Sequence, residues 1–179
     1  MISSNAQASI EGILLRAARS RLPQQPDDAC DIVALAQGYD SARPEANVII
    51  LTISSILFRL LLVFHFDEDA STREYFVKEA SEVSLQDALL EICNLCCGAV
   101  NQDLLRYFPD LGMSTPYVLS ARCLSHLEQL KPDYLSSYAI TINGSVQLAA
   151  TVCVCAHAPI DFVADMTAVE ESSGELELF

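Results

Sequence analysis

The chain has 179 residues, 51% of them hydrophobic and 19% charged, and its 24 acidic against 10 basic side chains give a formal net charge of −14. That length suits one domain with a sizeable core plus a terminal extension, and the apolar content excludes a wholly disordered chain. The negative charge argues against nucleic acid or an anionic membrane as a direct partner and would draw in a basic surface.

Residues 1–45 read as an N-terminal helical extension, which either stands apart from the domain or joins it. Within it, Ile10, Ile13, Leu14, Ala17 and Ala18 recur at helical spacing until Pro23. Residues 31–37 are expected to form a short helical turn closed by Gly38. The stretch 48–66, VIILTISSILFRLLLVFHF, is long and apolar. A central Arg59, the polar Thr52, Ser54 and Ser55, and many β-branched residues make it two buried strands, 47–53 and 56–66, joined at Ser54-Ser55. A membrane span would place Arg59 in hydrocarbon, so none is expected. Asp67, Glu68 and Asp69 form an acidic turn without the ligand spacing of a calcium loop, and Asp69 or Ser71 caps a helix running to about Ala80.

The most organised stretch is 85–107, LQDALLEICNLCCGAVNQDLLRY. Ser84 caps it, with Asp87 at the third helical position in a capping-box-like start. Leu85, Leu89, Ile92, Cys96 and Ala99 share one side; Asp87, Glu91, Asn94, Gly98 and Asn101 share the other, a polar stripe over roughly a quarter of the circumference at about 100° per residue. Cys93, Cys96 and Cys97 form C-x-x-C-C, but no second pair at ligand spacing accompanies them, and cysteine is a common small core residue. A structural role is therefore expected, with a metal or redox sensor as its competitor. The seven cysteines are an odd number and no secretory signal opens the chain, which predicts reduced thiols in a cytoplasmic protein.

Pro109 and Gly112 end the long helix. Residues 113–122 read as extended, with Pro116 marking an edge strand or a strand start, and 123–131 as a short helical or irregular link. Residues 134–156 are the clearest β signal, two runs around Asn143-Gly144, the preferred type I′ hairpin turn. The domain is expected to span 46–165, followed by an acidic tail, 166–179. This order predicts a single α/β (α+β) domain: a mixed, mainly antiparallel sheet with long helices packed on one face.

No Gly-rich phosphate loop, G-x-S-x-G or zinc signature is present in the sequence, so a conventional enzyme with its own pocket is not indicated. Glu91-Ile-Cys-Asn94 with Gly98 and Asn101, followed by Ser114-Thr-Pro116-Tyr-Val118-Leu-Ser120 and a closing hairpin, resembles the CheC/CheX/FliY family of chemotaxis phosphatases over roughly 47–158, most nearly CheX. Glu11 is followed by Leu14 and not by Asn, so the second E-x-x-N of CheC is missing.

The resemblance implies a CheX-like fold and hydrolysis of the aspartyl phosphate of a CheY-like response-regulator receiver domain. It implies catalytic roles for Glu91, engaging the receiver Lys, and Asn94, orienting the attacking water. Asp87, Gly98 and Asn101 would bind the partner. No metal ligand or cofactor of its own is implied, since Mg²⁺ would come with the receiver. It also implies a cytoplasmic homodimer, joined through an edge strand near Tyr117–Ser120 or the last hairpin. The alternative is a noncatalytic dimerisation or receiver-binding module in signal transduction.

Overall fold

The apolar run around Arg59 folds as two central strands in the computed structural model, which describes residues 1–36, 47–77 and 83–167. Strands β2 (Asn47–Ser54) and β3 (Phe58–Phe66) pair antiparallel with Leu51 opposite Leu62. Neither alternates cleanly between apolar and polar, because residues 48–51 and 62–66 are covered on both faces. No described helix is long and apolar enough to cross a membrane. The 55–57 turn is braced from outside: Asp110 accepts hydrogen bonds from the Ser55 hydroxyl (2.9 Å) and the Ile56 N–H (2.7 Å).

The described strands make one sheet in the order β1-β6-β7-β3-β2, with β4 and β5 paired end to end along the outer edge of β2. Here β1 is Cys30–Ala34, β4 Gly112–Met113, β5 Tyr117–Ser120, β6 Tyr134–Ile142 and β7 Val146–Ala156. The ladders are antiparallel, and an isolated Ile2–Ile160 bridge is parallel. Residues 30–34 are thus a strand where a helical turn is expected. They complete the otherwise bare edge of β6, with Ile32 opposite Ile140. Five residues carry too short a pattern to show this pairing locally, so the tertiary partner decides. The remainder of that expected turn, residue 37 and Gly38, lies outside the described residues, as do residues 78–80 of the expected second helix and most of the acidic tail.

In the β6–β7 connection, Asn143 and Gly144 both have positive φ, 51° and 69°, as a type I′ turn requires. The loop is one residue longer than the two-residue form, since Ile142 lies opposite Val146. Asn143 is held elsewhere: its backbone N–H donates to the Ala29 carbonyl (2.9 Å), and its amide to Asp28 (2.7 Å).

Helices α1 (Ser4–Arg21) and α3 (Leu85–Leu105) pack against each other over one face of the sheet, with the short α2 (Ala70–Phe76) beside them. Ile10, Ile13, Leu14 and Ala17 of α1 join Leu51, Leu60, Leu62 and Phe64 of the sheet in the main core. The opposite face is covered in part by a 3₁₀ helix, Ala121–Leu130, over Val48, Ile50 and Val63. Also on that face, β3, β7 and β6 carry a buried polar ladder. Thr151 shares hydrogen bonds with Ser137 (2.8 Å) and with His65 Nε2 (3.3 Å).

His65 is 4% exposed, and burial pulls its imidazole down from the ordinary 6.5 to about 4. Between those values the unfolded chain takes up a proton that the folded chain refuses. The contribution of the neutral imidazole is therefore complete above pH 6.5 and is lost as pH falls towards 4, by roughly 2–3 kcal/mol. Exposed carboxylates held low by hydrogen bonds, such as Asp69 and Asp110, add losses of the same sign below their ordinary range. Urea unfolding at pH 7 and pH 4.5 should therefore show a smaller drop for His65→Gln than for the unsubstituted protein; equal drops would remove His65 from this account.

Candidate functional site

The site is built on α3. Its start is defined by Ser84, whose hydroxyl accepts from the Asp87 N–H (3.1 Å) and donates to the Asp87 carboxylate (2.6 Å). The carboxylate also lies in the first turn, where the helix dipole favours negative charge. The buried side of α3 comprises Leu85, Leu89, Cys93, Cys96, Cys97, Val100 and Leu104. Ile92 and Ala99, expected at its centre, are only partly buried. The helix is rotated so that Cys93, Val100 and Leu104 seat on the core.

That rotation leaves the polar stripe outward. Glu91 is exposed and Asn94, one turn on, is half-buried. Among the described residues neither side chain has a hydrogen-bond or ion-pair partner. A Cβ built at Gly98 would meet nothing within 4 Å, so packing within the chain does not require glycine there. Glycine in a helix interior costs about 1 kcal/mol relative to alanine. Leu95, 47% exposed, sets an apolar side chain beside Glu91.

The other two stripe residues are placed differently. Asp87 is exposed, but its carboxylate is already engaged by Ser84 in the cap. Asn101 lies farther along the helix, half-buried, with Oδ1 screened from solvent and without a hydrogen-bond partner among the described residues. The structure thus brings Glu91, Asn94 and Gly98 together as a free surface, with Asp87 and Asn101 at its two ends.

Sequence reasoning missed what braces this helix. Arg16 of α1 donates from Nη2 (2.7 Å) and Nε (3.2 Å) to Asp103, with the two side chains 20% and 13% exposed. The available signal was an acid near the helix C-terminus, where the dipole disfavours negative charge and a cation is needed to offset it. Tyr107 adds a second tie by accepting from the Asp165 N–H (2.8 Å). Leu14, at the position where a second E-x-x-N would need Asn, is 1% exposed in the core.

The C-x-x-C-C cluster lies on the buried side. Cys93, Cys96 and Cys97 are each 0% exposed, and burial pushes all three thiols up, Cys97 to about 12. Among the described residues no group of His, Cys, Asp and Glu side chains is arranged to hold a metal ion.

No protein-family model matches the chain, and no curated protein matches it in sequence. Solved structures do match its fold. The chemotaxis protein CheX of Vibrio vulnificus superposes with a TM-score of 0.58 at 14% identity, covering 81% of this chain and 98% of that one. CheX in a CheX–CheY–BeF3–Mg²⁺ complex from Borrelia burgdorferi gives 0.57 at 7% identity, covering 83% and 96%. A CheC-like superfamily protein from a Shewanella species gives 0.53 at 13% identity, covering 85% and 98%.

The burial of the cysteine cluster sets its reactivity, because the thiolate is the reactive species. In the native protein a thiol reagent at pH 8 should modify Cys30, Cys123 and Cys155 within minutes, all three being partly exposed. Cys93, Cys96 and Cys97 should react only as fast as the protein unfolds. Rapid native modification of those three, mapped by mass spectrometry, would restore the redox-sensor reading.

Proposed function

We propose, from a chain that has the fold of the CheX and CheC-like chemotaxis proteins, that it is a CheX-like phosphatase acting on the aspartyl phosphate of a CheY-like receiver domain. The observation that carries the proposal is the pairing of Glu91 and Asn94. They are one turn apart, outward-facing and without partners among the described residues, on a helix whose other side is buried in the core. A protein of the same fold has been solved in complex with a CheY, which supports the choice of partner.

The chemistry follows from what each side chain offers. The Asn94 carboxamide donates and accepts at once, so it can hold a water by one lone pair and one proton and present it in line with the phosphorus. Phosphoryl transfer depends chiefly on such positioning and on electrostatic stabilisation. Glu91 would form a charge-assisted contact with the receiver Lys and set the angle of the helix. Gly98 leaves the stripe flat, so the partner backbone can come close. The divalent cation and the phosphorylated Asp both belong to the receiver.

The protein would act as a homodimer joined through β5. Among the described strands β5 pairs only with β2 and has its other edge free. The final hairpin is the weaker choice, since β1 already covers the open side of β6.

One observation favours the noncatalytic receiver-binding reading. The cap engages Asp87 and burial turns Asn101 inward, which narrows the free part of the stripe.

Decay of a phosphorylated receiver from the same organism, in Mg²⁺, separates the two. The protein should accelerate decay, Asn94→Ala should lower the maximal rate about 10²-fold, and Glu91→Ala should chiefly weaken receiver binding. Both positions are on the surface, so urea midpoints should stay within about 0.5 kcal/mol of the parent. Binding without acceleration assigns the noncatalytic module. In light scattering at micromolar concentration a dimer mass is expected, and a monomer mass would overturn the β5 contact.

A further inference from the structure

The sheet face opposite α3 carries an open hollow of about 490 Å³, lined by Thr52, Ser54, Arg59, Leu61, Met113 and Tyr117, together with Gly112 and Ser114. It lies beside a break in the outer ladder of β2. Strand β4 pairs with Ile53 and Ser54, and β5 with residues 47–50. Between them 114–116 leave the strand path, because Pro116 has no N–H to give to a ladder. The Ser114 side chain takes over instead: its Oγ accepts from the Thr52 N–H (3.0 Å), while its N–H donates to the Thr52 carbonyl (2.9 Å). The backbone is satisfied, and the hollow lies beside this irregular stretch.

The groups around that space are of one kind. Arg59 is exposed and has no ion-pair or hydrogen-bond partner among the described residues. The hydroxyls of Thr52, Ser54 and Tyr117 are likewise unengaged there, and the Ser114 hydroxyl accepts one bond with its own proton still to donate. One cation and several hydroxyl donors therefore line a single concavity, with no acidic side chain in its wall among the described residues. In a chain of net charge −14, a guanidinium left without a carboxylate is unexpected, since acids outnumber bases by more than two to one. Leu61 and Tyr117 add apolar wall, Tyr117 being 41% exposed. A guanidinium recognises carboxylate and phosphate oxygens with two parallel hydrogen bonds, and the surrounding hydroxyls suit the remaining oxygens.

We propose that this hollow is a binding site for a small organic anion, a carboxylate or phosphate monoester carrying one apolar arm. Arg59 takes the anion, the hydroxyls of Thr52, Ser54 and Ser114 hold its outer oxygens, and Leu61 and Tyr117 receive the arm. The site lies on the opposite sheet face from Glu91 and Asn94 and is independent of the reaction proposed for them.

Isothermal titration with benzoate, phenyl phosphate, inorganic phosphate and neutral benzamide tests this. Benzoate or phenyl phosphate should bind once per chain and saturate in the millimolar range or below. Arg59→Gln should weaken that binding at least tenfold, Asn94→Ala should leave it unchanged, and benzamide should not saturate. A thermal unfolding midpoint for Arg59→Gln equal to the parent separates loss of the site from loss of the fold. Failure of both organic anions to saturate would overturn the proposal, as would binding indifferent to Arg59→Gln. Inorganic phosphate binding as tightly as phenyl phosphate would mean surface charge only, and would overturn it too.

Discussion

The structure depends on how α3 sits on the sheet. Its inward side carries three cysteines, two leucines, a valine and the first-turn Leu85, and this mixture of small and medium side chains has two effects. The cysteines are small and apolar, so the helix comes close to the sheet without burying a polar group. The leucines and valine supply the larger part of the apolar burial, roughly 1.5–3 kcal/mol each. A helix seated this way has one rotation about its axis. With that rotation set, Glu91, Asn94 and Gly98 must face outward, and no loop needs to position them. The Arg16–Asp103 pair and the Tyr107–Asp165 contact then hold the far end of the same helix, so the stripe presents as a rigid line.

The edge strands follow from a second constraint, the missing N–H of Pro116. The serine two residues earlier repairs the hydrogen bonding of β2, while the strand itself is split into β4 and β5. The split matters on both faces. On the α3 side, Val118 of β5 still reaches the main core and closes it. On the other side the hollow at Arg59 lies beside the split. A regular edge strand over residues 112–120 would have presented a longer flat edge, which is more prone to unwanted pairing. The same proline therefore shapes the edge through which dimerisation is proposed, and the concavity lies beside it.

Much of this was legible in the residues, and the failures have physical causes. The β2–β3 pair, the capped long helix, the extended start at Pro116 and the hairpin around Asn143-Gly144 all announce themselves through local rules: composition, capping and turn chemistry. Strand β1 does not, since five residues adjoining a Pro-rich stretch gain their conformation from β6 and not from their own pattern. The centre of the buried side of α3 falls one position on from Ile92 and Ala99, at Cys93 and Val100, because helical spacing alone defines a face only to within a residue and packing against the sheet decides the rotation. The stripe was readable as a face, but not the fate of each member. Whether Asp87 stays free or turns back to its cap, and whether Asn101 points out or in, depends on packing around the helix that no spacing rule contains.

The electrostatic setting bears on both surfaces. A net charge of −14 repels a phosphorylated ligand at long range, with screening over about 8–10 Å at physiological ionic strength. An anion presented on a partner's surface can overcome that repulsion if the partner brings its own positive charge. A lysine and a bound cation beside the phosphoryl group would do so, and on the function proposed above Glu91 would meet such a lysine. A free small anion has no such companion and must be met by charge that this chain supplies. Arg59, with no carboxylate in the wall around it, provides that charge on the opposite face. On the two proposals the surfaces would sort anions by what accompanies them: the helix stripe would take one delivered within a positively charged partner, and the hollow one that arrives alone.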